Sequence, residues 1–289
     1  MTGATRARCV WEVGAELGEG PVWTDGALWF VDIKKRKIYR LRGEERRCWD
    51  APEPIGFLLP VESGGFVAGL QSGLHGFDPE SGAFSLVAEI EPELPGNRLN
   101  DGVVDPSGRL WFGSMDNGEK DAAGRFYSYH RGALRDAGLP PVAITNGPAL
   151  SPDGRILYWV DTLGQAIHAC DVSEEGALGP SRLFAQLGEK EGFPDGPTVD
   201  SEGCVWISLY WGWSVRRYSP AGELLKTVEF PVSNVTKIAF GGQSLTTVYA
   251  TTARQGIRAE SFARQPQAGG LFAFEVDVPG LPAHRAALA

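Results

Sequence analysis

One phrase recurs along this chain, and it restricts the fold more than any other feature. Glu19-Gly20-Pro21 precedes an Asp25-Gly26 turn, and Asn100-Asp101-Gly102 precedes Pro106-Ser107-Gly108. Asn146-Gly147-Pro148 precedes Pro152-Asp153-Gly154, Asp195-Gly196-Pro197 precedes Ser201-Glu202-Gly203, and Asn234 stands in the same relation to Gly241-Gly242. An apolar strand follows each turn: Leu28-Trp29-Phe30, Leu110-Trp111-Phe112, Ile156-Leu157-Tyr158-Trp159, Val205-Trp206-Ile207 and Val248-Tyr249. A weaker sixth copy has Phe57 in the slot, Ser63-Gly64-Gly65 as the turn, and then Phe66-Val67. Six copies at intervals of roughly 40–50 residues mark a repeat architecture built from short strands.

The clearest copy reads as four strands: Asn146 to Leu150, Ile156 to Asp161, Ala166 to Val172 and Ser181 to Gln186, joined by short turns. Four antiparallel strands repeated radially give an all-β, six-bladed β-propeller, which leaves few open sheet edges. The last copy, Gly270 to Val276, ends one strand short, so Cys9 to Val13 is expected to complete that blade and join the two ends of the chain. Residues 1–289 then form a single propeller domain. No long apolar pattern at helical spacing competes with this reading. The nine Trp and fourteen Phe suit pleated, half-buried surfaces.

A net charge of -9 speaks against a nucleic-acid partner, which needs a basic stripe. No apolar stretch reaches the length of a membrane span, and residues 1–13 hold two Arg but no apolar run of the secretory kind. Cytoplasm is therefore the expected location, and a monomer the default state. Cys9, Cys48, Cys170 and Cys204 lack paired spacing and are expected to be reduced, buried small hydrophobes.

In a propeller the inner strands surround a central channel in one direction, so equivalent slots ring one mouth. That ring would comprise Glu19, Phe57, Asn100, Asn146, Asp195 and Asn234. Five of these offer oxygen and none is His or Cys, a ligand set for hard or borderline divalent cations. Two carboxylates offset a 2+ charge and leave positions open to water or substrate, as in a catalytic metal site. Singly, Asn or Asp before Gly also serves turns by bonding its own backbone.

The chain resembles the SMP-30/gluconolactonase/LRE (regucalcin-like) family of six-bladed sugar lactonases through most of its length. The likeness is carried by Leu17-Gly18-Glu19-Gly20-Pro21, Asn97-Arg98-Leu99-Asn100-Asp101-Gly102, Thr145-Asn146-Gly147-Pro148 and Pro194-Asp195-Gly196. Thr251-Thr252-Ala253-Arg254 and Ala268-Gly269-Gly270-Leu271-Phe272 look like bacterial sugar lactonases of the xylonolactonase kind. The resemblance implies that Glu19, Asn146 and Asp195 bind one divalent metal ion, while Arg98 and Asn100 hold the sugar. It implies hydrolysis of an aldonolactone (xylono-, glucono-, galactono- or arabinonolactone) to the aldonic acid. The metal would polarise the carbonyl and activate water, with Asp195 as ligand and candidate base. An oxygen ligand set is compatible with Ca²⁺, Zn²⁺, Mn²⁺, Mg²⁺ or Fe²⁺.

Other residues carry two readings. Asp101 is expected to brace Arg98 or its loop. Asn234 belongs to the ring by register alone. Members of the family place a substrate-contacting Glu near Asp116 to Asp121, for which Glu119 is the candidate, although a solvated loop explains the same residues. Tyr210-Trp211-Gly212-Trp213 is either a wall for sugar stacking or buried core. His75, His130, His168 and His284 lie outside the slots and receive no role. Two other functions remain open: a calcium-binding or regulatory propeller without turnover, and a phosphotriesterase or other esterase on the same fold. The Arg98/Asn100 pair favours a polyhydroxylated ligand over both.

Overall fold

The computed structural model describes residues 6–289. Strand β1 (Arg8–Trp11) comes first and waits for a partner from the far end of the chain. The first blade follows as β2 (Gly18–Thr24), β3 (Ala27–Asp32), β4 (Lys37–Arg42) and β5 (Glu45–Asp50). Its first hairpin turns on Asp25 and Gly26, with φ of 51° and 72°. Positive φ at both central residues is the turn whose twist matches that of the strands, and Asp-Gly accepts it readily.

The second blade is β6 (Ile55–Pro60), β7 (Phe66–Leu70), β8 (Gly73–Asp78) and β9 (Ala83–Glu89). The third is β10 (Asn97–Val104), β11 (Leu110–Asp116), β12 (Phe126–His130) and β13 (Ala133–Asp136). The fourth is β14 (Thr145–Leu150), β15 (Ile156–Asp161), β16 (Ala166–Asp171) and β17 (Arg182–Gln186), within a residue of the sequence reading. The fifth is β18 (Phe193–Val199), β19 (Val205–Tyr210), β20 (Ser214–Tyr218) and β21 (Leu224–Glu229). The sixth has β22 (Val235–Gly241), β23 (Thr247–Thr252) and, after the short helix α1 (Ala259–Phe262), β24 (Leu271–Glu275).

Its fourth strand is β1, so the sheet order is β1-β24-β23-β22, with Arg8 opposite Ala273 and Cys9 opposite Phe272. The predicted closure is thus present. Each inner strand packs on the next, β2 on β6, β6 on β10, and so on until β22 packs back on β2. All-β architecture with six antiparallel four-stranded blades makes this a six-bladed propeller.

Burial grades outward within a blade. Strands β3 and β7 are buried along their whole length, whereas β13 is exposed throughout and β5 nearly so. The inner strands lie between neighbouring blades, and the outer ones meet water, where charges such as Glu45, Arg46 and Arg47 discourage edge pairing. Core aromatics take polar anchors in register. Trp111 Nε1 donates to Asp105 at 3.0 Å and Trp206 Nε1 donates to Asp200 at 2.9 Å, each carboxylate also capping its own turn. Two cysteines depart from the expectation: Cys170 and Cys204 are buried and unpaired, but Cys48 is exposed and Cys9 half-buried.

Two features were not foreseen. After β24 the chain crosses the far mouth of the channel, where Ser201 N donates to Pro279 O and Ala286 N donates to Pro60 O. Leu281, Pro282 and His284 line a cavity of about 150 Å³ there. Second, all six inner strands break register at the slot: between Glu19 and Val22, Ile55 and Phe57, Leu99 and Gly102, Asn146 and Ala149, Pro194 and Pro197, and Val235 and Lys237. A bulge re-aims the side chains beside it, and here that means towards the axis.

Candidate active site and metal centre

The open mouth of the channel holds a cavity of about 180 Å³, and Glu19, Arg98, Asn100, Asn146 and Asp195 all line it. The structure therefore brings together the five residues that the family resemblance implied for metal and substrate. They come from β2, β10, β14 and β18, and each sits at or beside a bulge.

The two carboxylates are almost wholly buried, at 5% and 6% exposure for Glu19 and Asp195. Each accepts the next residue's backbone N–H: Gly20 N donates to Glu19 Oε2 at 2.9 Å, and Gly196 N donates to Asp195 Oδ1 at 2.9 Å. Glu19 Oε1 and Asp195 Oδ2 accept no protein hydrogen bond among the described residues. Burial, reinforced by Asp101, pushes the Glu19 carboxyl up to about 8. Burial, reinforced by Glu19 and Asp101, holds the Asp195 carboxyl well above the usual carboxylate range. Two buried acids, each with one oxygen unengaged, are short of positive charge.

The amides are oriented by donors and acceptors that leave little choice. Asn146 Nδ2 donates to Thr162 Oγ1 at 2.9 Å, which directs Oδ1 away from Thr162. Asn100 Nδ2 donates to Thr145 O at 2.6 Å and lies 3.2 Å from Asn146 Oδ1. Asn100 Oδ1 accepts from Arg98 Nη1 at 2.6 Å, so its carbonyl is engaged by Arg98. Arg98 is 2% exposed; its Nε donates to Asn117 Oδ1 at 3.2 Å and Nη1 also reaches Leu99 O. Nη2 makes no protein hydrogen bond among the described residues and is left for a ligand. Burial lowers the Arg98 pKa to about 10, with Glu119, Glu19 and Asp195 opposing, so the guanidinium remains charged.

Two oxygen anions and an amide carbonyl on one cavity fit a divalent cation with oxygen preference. Among the described residues no cluster of three His, Cys, Asp or Glu side chains is spaced to hold a metal, so the amide is needed to complete any such set.

The other residues singled out in the sequence take different places. Asn234 is fully buried in its loop, taking Ser233 Oγ on Oδ1 and giving Nδ2 to Gln255 O, and it does not line the cavity. Register alone placed it in the ring; the local loop took its side chain instead. Phe57 is buried against Gly69 and Gly102 and is likewise no part of the lining. Glu119, by contrast, reaches the cavity from the loop after β11, where Gln255 Nε2 donates to its Oε1 at 2.9 Å. Tyr210 and Trp211 form one wall; Tyr210 also packs against the core, whereas Trp211 is 40% exposed at the rim and Trp213 does not line the cavity. Arg254 points away, its Nε donating to Ala268 O. None of the four histidines touches this cavity.

The residues missed by sequence reasoning are Gln255, Thr162 and Lys237. Lys237 Nζ donates to Asp101 Oδ1 beneath the cavity. Only its place in the inner strand of the last copy hinted at a role.

Known proteins resemble this chain along nearly its whole length. The chain is 37% identical to L-arabinolactonase of Azospirillum brasilense, covering 93% of this chain and 91% of that protein. It is 34% identical to 6-deoxy-6-sulfogluconolactonase of Pseudomonas putida (94% and 96% covered) and 33% identical to rabbit (Oryctolagus cuniculus) regucalcin (96% and 97%). The crystal structure of a calcium-binding regucalcin from Agrobacterium tumefaciens superposes with a TM-score of 0.93 at 28% identity, over 98% of this chain and 97% of that one. A sequence model of the SMP-30/gluconolactonase/LRE-like region matches residues 17–254, and the chain belongs to that family.

Proposed function

We propose that this protein hydrolyses a sugar-derived lactone, an aldonolactone, to the open aldonic acid with the help of one divalent cation. The observation that carries this reading is the pair of buried, half-engaged carboxylates facing the same cavity as the free Nη2 of Arg98. The lactonases among the relatives support the reaction class.

Glu19, Asn146 and Asp195 would hold the cation. When bound, it supplies Lewis-acid polarisation of the lactone carbonyl and lowers the pKa of water. Arg98 Nη2 donates to a ring or hydroxyl oxygen, its fork fixed by Asn117 and Asn100. Asn117 and Asn100 thus spend their own acceptors on orientation, which lessens the rearrangement needed when substrate enters. Trp211 and Leu163 give the apolar side of the cavity, suited to the C–H face of a sugar ring and to exclusion of bulk water. Glu119 Oε1, shared with Gln255, can accept from a hydroxyl. Asp195 Oδ2 would take a proton from the attacking water as its oxygen adds to the carbonyl carbon, and the ring C–O bond then breaks as the carbonyl re-forms. That proton would pass from Asp195 to the leaving alkoxide, giving acid and alcohol in one chain and restoring the carboxylate.

The test is release of acid from L-arabinono-, D-xylono-, D-glucono- and D-galactonolactones by chelator-stripped protein, with each divalent ion restored singly and spontaneous opening subtracted. Turnover restored by metal supports the reading. No rate above background with any pairing sinks it and leaves a calcium-binding propeller or another ester as substrate. The similar calcium-binding regucalcin makes calcium binding without turnover the second reading.

A further inference from the structure

Beneath the site lies a charge that the reaction above does not use. Lys237 on β22 runs inward past Gly196, where a Cβ would lie only 2.6 Å from its Cγ, so glycine is what lets the lysine through. Its side chain is 9% exposed and its Nζ donates to Asp101, whose side chain is 2% exposed. Asp101 also accepts Gly102 N at 2.7 Å and Gly147 N at 2.9 Å. One carboxylate therefore ties the bulges of β10 and β14 to the ammonium from β22. Lys237 also lines the far cavity, so the pair forms the partition between the two ends of the channel.

The charges on this partition and on the site above it sum to a definite value. In the ionised state that cation binding requires, Glu19, Asp101 and Asp195 contribute three negative charges and Lys237 one positive, leaving two negative charges in a buried space. Arg98 and Glu119 cancel each other at the cavity wall. A buried ion pair is weak evidence for a stabilising role, because desolvation offsets most of its attraction. Its value here lies in setting the field at the site.

We propose that Lys237 is a positioning residue that, through its ion pair with Asp101, fixes the charge of the site at the value a divalent cation neutralises. This rests on the metal-holding reading of Glu19, Asn146 and Asp195, and not on the lactone. It makes a prediction opposite in sign to that of a structural prop. Removing a prop loosens the site and weakens cation binding. Removing the ammonium adds one uncompensated negative charge and tightens it.

The experiment is titration calorimetry of Mn²⁺ and of Ca²⁺, without substrate, into the parent protein, Lys237→Met, Asp101→Asn and the double variant. Lys237→Met is expected to lower Kd about tenfold or more, and Asp101→Asn to raise it by a similar factor. The double variant, which has no orphaned charge, should return to within about threefold of the parent. Should Lys237→Met fail to fold, the other two variants decide the matter by the same pattern. Weaker binding in Lys237→Met, or Kd values unchanged across the set, overturns the inference. A parent protein that binds neither ion overturns the metal reading and this inference with it. A parent that binds the ions but opens no lactone overturns only the proposed function.

Discussion

Asp195 and Arg98 carry the sharpest expectations at the scale of single residues. Asp195→Asn keeps the shape but removes a charge and a proton acceptor. We expect kcat to fall by about a hundredfold or more and cation affinity by about tenfold or more, read by acid release and calorimetry. Arg98→Lys replaces a planar fork held by Asn117 and Asn100 with a point charge. It should raise KM for an aldonolactone about tenfold while cation Kd stays within about threefold. Glu19 gives a pH dependence. Its carboxyl rises from an ordinary 4.5 to about 8 in the fold, so the folded state binds a proton more tightly than the unfolded chain. Its contribution to stability is full below 4.5 and is lost as pH rises through about 8. Chelated protein should therefore melt at a higher temperature at pH 5 than at pH 8, and restored divalent cation should narrow that gap. An equal gap with and without metal would refute the assignment of Glu19.

The bulge is the informative unit at the scale of elements. Regular inner strands would point successive side chains to alternate faces; a shift of register at the slot turns Glu19, Asn146 and Asp195 to the axis. Gly147 stands in one such bulge with φ of 77°, and a Cβ there would approach Pro197 Cγ to 2.8 Å. Gly147→Ala should cost about 1–3 kcal/mol in denaturant unfolding and weaken cation binding, since Asn146 is displaced with it. The outer strands tolerate more, because β13 and most of β5 already face water.

Closure governs the whole molecule. The sixth sheet takes β1 from one end of the chain and three strands from the other, so the ring is held shut by the pairing of Arg8 with Ala273 and Cys9 with Phe272. Removal of residues 1–11 should lower the melting temperature by about 5 °C or more and expose β24 as an edge. Light scattering that rises with protein concentration would report the exposed edge. An unchanged melting temperature would mean that the packing of β22 on β2 suffices.

The repeated phrase determined the blade number, the strand boundaries of the fourth blade, the N-terminal closure and four of the five residues now found on one cavity; Arg98 came from the family resemblance alone. The phrase could do so because a propeller maps sequence period onto angular position, and side chains in equivalent slots must then converge. Tertiary structure alone decided the rest. Asn234 has the right register, but its loop binds both ends of its amide. Glu119 and Gln255 meet across 136 positions of sequence, and Lys237 reaches Asp101 across the same separation. No local pattern encodes such contacts; they arise where loops and strands of different blades face the same axis.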